Sequence, residues 1–366
     1  MTVGFHSPLP PARTGVADYA SALLAALRRY GTIQVNSGEA DVNLYHLGNN
    51  PLHREVYRRA LARPGVVVLH DAVLQHFFLG YLDRASYVEE FVFNYGEWER
   101  GLAQELWAAR SQSGSQERYF RYPVLRRIAE ISRAVIVHNP AAARMVLKHA
   151  PHARVHEIPH LFTPPPEASA AEVQRLRGGL GIGAGTFVFS VLGYLREGKR
   201  LPVILKAFEI VRRQGVDGLL LVVGDFLSPG LAKAVAPLMN RPDVRYSGGL
   251  GERDFWLRAA AADACINLRY PTAGETSGVT TRLMGMGKPV VVTESEEVSR
   301  FPASVCLRVD HGVAEKDELV QYMMMLARSG GMALEIGRRA AAYVREEHSL
   351  EMVASSYWEV LCACRN

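Results

Sequence analysis

The feature that most constrains the fold is an alternation, run through twice, of short apolar strand-like segments with longer segments whose apolar residues recur at helical spacing. In the first half TVGFHS, DVNLYHL, VVVLH, AVIVH and VHEIPH are separated by segments such as VADYASALLAALRRY. In the second half TFVFSVLGY, LLLVVGD, VRYSGG, ACINLRY and VVVT are separated by PVILKAFEIVRRQ, LAKAVAPLM and FWLRAAAA. Such alternation builds parallel sheets wrapped by helices, and 366 residues exceed one ordinary core. The expected fold class is α/β, two Rossmann-like domains facing each other across a cleft.

Between the halves HLFTPPPEASAAEV, residues 160 to 173, breaks the pattern with Pro164, Pro165 and Pro166 in a row. Proline fixes φ and biases the residue before it away from helix, so this stretch reads as the interdomain connector and the place to look for hinge motion. The expected boundaries are an N-terminal Rossmann-like domain over 1–163 and a C-terminal Rossmann-like domain over 164–346. The last segment, 347–366, is a helix that either crosses back to the first domain or stays on the second. Residues 84 to 121 read as a helical pair inserted between strands of the first domain.

Bulk properties exclude several classes. With 48% hydrophobic residues and no uninterrupted apolar run of roughly 18 to 20 residues, nothing reads as a membrane-spanning helix. The opening MTVGFHSPLPP lacks the order of a signal peptide, so the expected location is cytoplasmic. Cys265 and Cys306 lie in apolar strand-like runs, against a disulfide framework or a zinc site. A net charge of +5 suits anionic substrates or an anionic membrane surface. Arginines 54, 58, 59, 63, 126, 127, 133 and 144 raise peripheral contact with the inner face of a membrane, although solvated helix faces give the same pattern. No nucleic-acid-binding motif is present.

In open α/β sheets ligands bind beyond the carboxyl ends of the strands, which singles out five segments. The strongest is YPTAGETSGVTTRLMGMGKPVVVT, residues 270 to 293. Here the carboxylate of Glu275 precedes Thr276, Ser277, Gly278 and Val279 at a helix start, where free N–H groups and the helix dipole suit a diphosphate. An ordinary N-cap by Thr276 or Ser277, with Glu275 in solvent, is the competing reading. In SPLPPARTGVADYA, Gly15 opens the first helix and allows close backbone approach, or Thr14 simply caps it. VVVLHD places His70 at a strand end, able to hydrogen-bond a sugar hydroxyl or assist proton transfer, with Asp71 capping the next helix. His138 and His160 also follow apolar runs. VLGYLREGKRLP offers Lys199, Arg196 and Arg200 as diphosphate ligands, and RYSGGLGERDFW offers glycines near a base.

In order and spacing these segments resemble glycosyltransferases of the family 4 type, which have the GT-B fold. The resemblance covers nearly the whole chain. It runs from PLPPxxTGVADY through LHD, VLGYxxxxKR, VVGD and YSGG to NLRYPTAGETSG and GKPVVVT, and similar ETSG segments occur in a bacterial branch that builds envelope polysaccharides. It implies that Gly15 lies by the donor diphosphate and His70 near the reacting sugar. Lys199 would bind the diphosphate, and Glu275, first glutamate of an E-x7-E pattern, would lie beside the transferred sugar, with backbone N–H groups at 277 to 279 toward the phosphates. The pattern departs at Leu283, where a second glutamate usually holds the ribose, and at Tyr194, where an arginine often follows the glycine, leaving Arg196 or Arg200 as substitutes.

The implied activity is a retaining, metal-independent transfer of a hexose from a nucleotide diphosphate sugar to a hydroxyl of a glycan, glycolipid or lipid-linked acceptor. No carboxylate pair stands at glycosidase spacing and no DxD pair at a strand end, so no covalent double displacement and no metal site are expected. No cofactor beyond the nucleotide sugar co-substrate is implied. The competing readings are a catalytically silent homologue that binds a partner, favoured by Leu283, and a sugar-nucleotide epimerase of the same architecture.

Overall fold

The computed structural model describes residues 1–12, 14–36 and 39–365. Twelve strands form two six-stranded sheets, parallel throughout. The first contains β1 (Thr2–His6), β2 (Thr32–Val35), β3 (Val42–Leu47), β4 (Val66–Leu69), β5 (Ala134–Val137) and β6 (Val155–Glu157), in the order β2-β1-β3-β4-β5-β6. The second contains β7 (Phe187–Leu192), β8 (Gly218–Val223), β9 (Val244–Ser247), β10 (Ala264–Asn267), β11 (Val290–Thr293) and β12 (Leu307–Val309), in the order β12-β11-β10-β7-β8-β9. Strands β4, β5, β8, β10 and β11 are buried at every residue, as helices on both faces require of a parallel sheet.

Each sheet reverses its direction of growth once, between β1 and β3 in the first and between β7 and β10 in the second. A crevice opens at such a reversal because the flanking connections run to opposite faces. Both crevices lie at strand carboxyl ends, and the loops there belong to the segments singled out above.

The chain passes between sheets along Ile158–Ser169 and again near His348, where Phe162 N donates to His348 O at 2.7 Å and Phe162 forms a bridge with Ser349. The last helix, Leu350–Ala363, lies against the first helix, Gly15–Leu27, of the first domain. The buried hydroxyls of Tyr19 and Tyr357 share a 2.9 Å hydrogen bond there, and Arg133 Nη1 donates to Cys364 O. Inserted helices cover Arg84–Tyr95 and Arg100–Ala108.

Two loops bind the domains directly. Ala72 N and Val73 N, just beyond β4, both donate to Ala273 O of the second domain, at 2.7 and 2.9 Å. Asn139 Nδ2, beyond β5, donates to Gly274 O and to Thr276 Oγ1. The loop before Glu275 is thereby lodged against the first sheet's strand ends. Arginines on the first-domain helices are largely taken up in ion pairs: Arg58 and Arg59 with Glu55, Arg126 with Glu130, Arg127 with Glu90, and Arg144 with Glu296 across the domains. No helix among the described residues is long and apolar enough to cross a membrane.

Candidate active site

The helix Gly278–Gly285 follows β10 after the loop 268–277, and Ser277 is its cap, its Oγ accepting from Thr280 N at 3.2 Å. The amides of Gly278 and Val279 have no partner among the described residues, which leaves them open to an anion. Space at Gly278 is tight: a Cβ there would come 3.1 Å from the His160 imidazole, which would have to shift by a few tenths of an ångström to admit it. Gly193, after β7, has φ +102 and adopts a conformation that residues with a Cβ avoid.

Around this helix start runs a chain of polar contacts across the second crevice. Lys199 Nζ donates to Leu192 O at the end of β7 and to Asn267 Oδ1 at the end of β10. Asn267 Nδ2 donates to Ser277 Oγ at 2.8 Å and to Thr280 Oγ1. Arg269 Nη2 donates to the same Ser277 Oγ at 3.0 Å and Nη1 to Glu275 Oε1 at 2.5 Å. Arg196 Nη2 donates to that oxygen too, at 2.7 Å, while Glu275 Oε2 accepts from Ala273 N. A cavity opens among Asn267, Arg269, Glu275, Ser277 and Thr280.

Burial pushes the Glu275 carboxyl up, but the Arg269 and Arg196 guanidiniums outweigh it and hold the group below its usual range, hence ionised. The solvated-carboxylate reading is therefore excluded, since the side chain is only 9% exposed. Lys199, 3% exposed, is driven well below its ordinary value by burial and by the charges of Arg269 and Arg196. An arriving anion would favour its charged form.

Facing this network, the first sheet presents imidazoles. His46 in β3, His70 after β4, His138 after β5 and His160 beyond β6 surround the Tyr19 ring, with centroids 4.8 Å away for His70 and His160 and 5.1 Å for His138. Burial, more than any charge, holds all four below the ordinary histidine range. Asp71 Oδ2 accepts from Asn49 N at 2.7 Å, and Asn49 Nδ2 bonds His76 Nδ1. Burial first, then the Glu275 charge across the cleft, pushes the Asp71 carboxyl up. A further opening beside this loop is lined by His76, Arg110, Ser111 and Ser113. Among the described residues no three His, Cys, Asp or Glu side chains are grouped to hold a metal ion.

Of the residues expected at the site, Glu275, Arg196, Lys199, Ser277, Gly278 and Val279 come together at the second crevice, and His70 lies at the facing sheet edge. Gly15 opens the first helix with clear space beside it, while Thr14 caps that helix through Val16 N. Three expectations are corrected. Arg200 is otherwise engaged: its guanidinium pairs with Glu315, whose side chain is 2% exposed. The Thr276 hydroxyl is engaged by the first domain, accepting from Asn139 Nδ2 and donating to His138 O, while the residue still lines the cavity between Glu275 and Ser277. Asp71 does not cap a helix, since the next one, Gln75–Tyr81, starts without a side-chain cap. Arg269 and Asn267 were missed. A polar residue in the otherwise apolar run ACIN, and a charge just past its end, are the signals that mark them under the strand-end rule.

Two parallel α/β sheets whose carboxyl ends face each other across an interdomain cleft define the GT-B architecture, and this chain has it. Sucrose-phosphate synthase from Thermosynechococcus elongatus is similar at a TM-score of 0.70 and 14% identity, covering 99% of this chain and 98% of that one. HepE from Anabaena, in complex with UDP and glucose, is similar at 0.64 and 16%, covering 99% and 100%. WaaG, a glycosyltransferase involved in lipopolysaccharide biosynthesis, is similar at 0.62 and 15%, covering 98% and 99%. No protein-family model matches the chain, and no curated protein does.

Proposed function

We propose that the chain is a glycosyltransferase of the family 4 type, from the branch with ETSG segments, that moves a hexose from a nucleotide diphosphate sugar to an acceptor hydroxyl with retention at the anomeric carbon. The observation that carries the reading is the ionised Glu275, held by Arg196 and Arg269 at the open start of the helix Gly278–Gly285 and lining the cavity beside it. A carboxylate beside an anion-binding helix start suits a sugar on one side and its diphosphate on the other. HepE, of the same fold, has been seen with UDP-glucose, which makes that donor the first to try.

In this reading Arg269, the amides of residues 278 and 279 and Lys199 stabilise the charge that develops on the leaving diphosphate. Arg269 takes the place left by Tyr194. Donor binding releases Arg196 and Arg269 in part from Glu275, which then orients sugar hydroxyls and stabilises positive character at the anomeric carbon. The diphosphate, leaving on the face from which the acceptor attacks, takes the acceptor's proton. Because these side chains and backbone donors already supply the positive charge, the reaction needs no metal. The acceptor, a glycan, glycolipid or lipid-linked sugar, enters from the first domain beside Asn49, His76 and Arg110. Membrane contact and a cytoplasmic location belong to the proposal only through a lipid-linked acceptor. Leu283 is 1% exposed in the core of the second domain, so the ribose must be held by other groups.

The test is a thermal-shift series with UDP, GDP, dTDP and ADP and their common sugars in chelator, followed by nucleotide release in the presence of acceptor extracts. A ligand specific to the folded state raises the melting temperature with its concentration. Stabilisation by one nucleotide series with release of nucleotide supports the proposal. Stabilisation without release under any acceptor supports the silent homologue, and donor turnover without acceptor the epimerase.

A further inference from the structure

His46 and His70 lie edge to edge at the ends of β3 and β4, with His46 Nδ1 3.0 Å from His70 Nε2 and the ring planes 20° apart. One proton lies in that bond, so one ring donates and the other accepts. The other nitrogen of His46 decides which. His46 Nε2 is buried without a partner among the described residues. If His70 were the donor, neutral His46 would carry its proton on that orphaned nitrogen, and buried N–H groups without an acceptor are rarer than bare acceptors. If His46 donates, only a lone pair is stranded.

The surrounding histidines already use this arrangement. His53 Nδ1 donates to His46 O at 2.9 Å and His138 Nδ1 to Ile158 O at 3.0 Å; carbonyl oxygens only accept, so each carries its proton on Nδ1. In both, as in His46, the buried Nε2 has no partner among the described residues. A bare Nε2 lone pair is thus the arrangement of both His53 and His138, while His76, whose Nδ1 accepts from Asn49 Nδ2, stands apart from them.

We propose that His46 is a positioning residue that donates its Nδ1 proton to His70 Nε2 and so fixes His70 as the Nδ1–H form, which offers a ligand a hydrogen-bond donor and not a base. No described protein group bonds His70 Nδ1, the one ring nitrogen left for a ligand. Held this way, His70 can bond a sugar hydroxyl oxygen but cannot accept the acceptor's proton. The catalytic half of the inference rests on the proposed glycosyl transfer; the assignment of the proton does not.

The test is 15N spectroscopy of the full chain labelled at histidine, with the His70 signals identified by their loss in His70→Gln. Protonation of His70 at Nδ1 in the unliganded protein is expected, and protonation at Nε2 overturns the inference even if every donor assay succeeds. Two substitutions read the consequence. His46→Asp places an acceptor alone against Nε2 and should move the His70 proton there, lowering donor turnover by about tenfold or more. His46→Asn can still donate and should recover most of that loss, with UDP affinity in both variants within about twofold of wild type. Wild-type turnover in a His46→Asp protein whose spectrum shows the proton moved would overturn the positioning role. Should that variant fail to fold, the wild-type spectrum still decides. An Nδ1–H spectrum in a protein that turns over no donor would sink the proposed function instead.

Discussion

The two sheet edges that face each other across the cleft are built alike and furnished oppositely. Each has a crevice where its strand order reverses, yet the first carries neutral imidazoles around a tyrosine and the second a chain of charges from Lys199 through Arg269 to Glu275. In the first, burial removes charge from groups that titrate easily. In the second, the Glu275 charge survives burial because the carboxylate has two guanidiniums and a backbone N–H as close partners. Under the proposed glycosyl transfer the difference divides the labour: uncharged donors and acceptors would sort sugar hydroxyls, and fixed charges would meet phosphate.

The largest effect that can test this division is at Glu275. Glu275→Ala should lower donor turnover by about 10²–10³-fold. UDP affinity should hold or rise, because Arg196 and Arg269 lose the carboxylate that competes with phosphate for them. Steady-state turnover and calorimetric titration with UDP separate the two quantities. A collapse of UDP binding together with turnover would mean that Glu275 mainly holds the loop through Ala273 N, and the division would fail at its centre.

The next effect compares two arginines. Arg269→Gln should weaken UDP binding by about ten- to a hundredfold, the range for loss of a charge-assisted hydrogen bond at a buried site. Arg200→Gln should leave UDP affinity within about twofold and instead lower the melting temperature by several degrees, since Glu315 keeps its buried charge and loses its partner. Equal effects on UDP from both substitutions would return Arg200 to the site.

These arginines also show where sequence reading stops. Strands such as VVVL, AVIV and GLLLVV announce themselves because both their faces are buried, whereas β2, TIQV, is mostly exposed and has no apolar run to mark it. The GETSG helix start was legible because a cap and its helix are local in sequence. Which arginine serves it was not, because Arg200 is claimed by a glutamate 115 residues away. Nor was the place of Thr276, whose partners His138 and Asn139 come from the other domain. Local chemistry was readable; the competition among distant partners for each side chain was not.

The smallest effect tests the imidazole edge alone. Burial favours the neutral ring, so the folded-state values of His53 and His138 fall from 6.5 to about 4, and those of His46, His70 and His160 fall well below 6.5. As pH drops through 6.5 the unfolded chain takes up protons that the folded chain refuses. The stabilisation from these groups is therefore complete above pH 6.5, and that of His53 and His138 is lost between about 6.5 and about 4, at about 1.4 kcal/mol per pH unit for each ring within its window. Lys199, also depressed, begins its loss much higher, from 10.5, and is a single group. Amide hydrogen exchange at pH 7.5 and 5.0, corrected for intrinsic rates, should show β4 and β5 losing protection more steeply than β7 and β10. His138→Gln should flatten that difference. Equal losses in the two sheets would mean that the imidazoles are no more costly to protonate than the rest of the molecule, and the contrast between a discharged edge and a charged one would reduce to a difference in residue type.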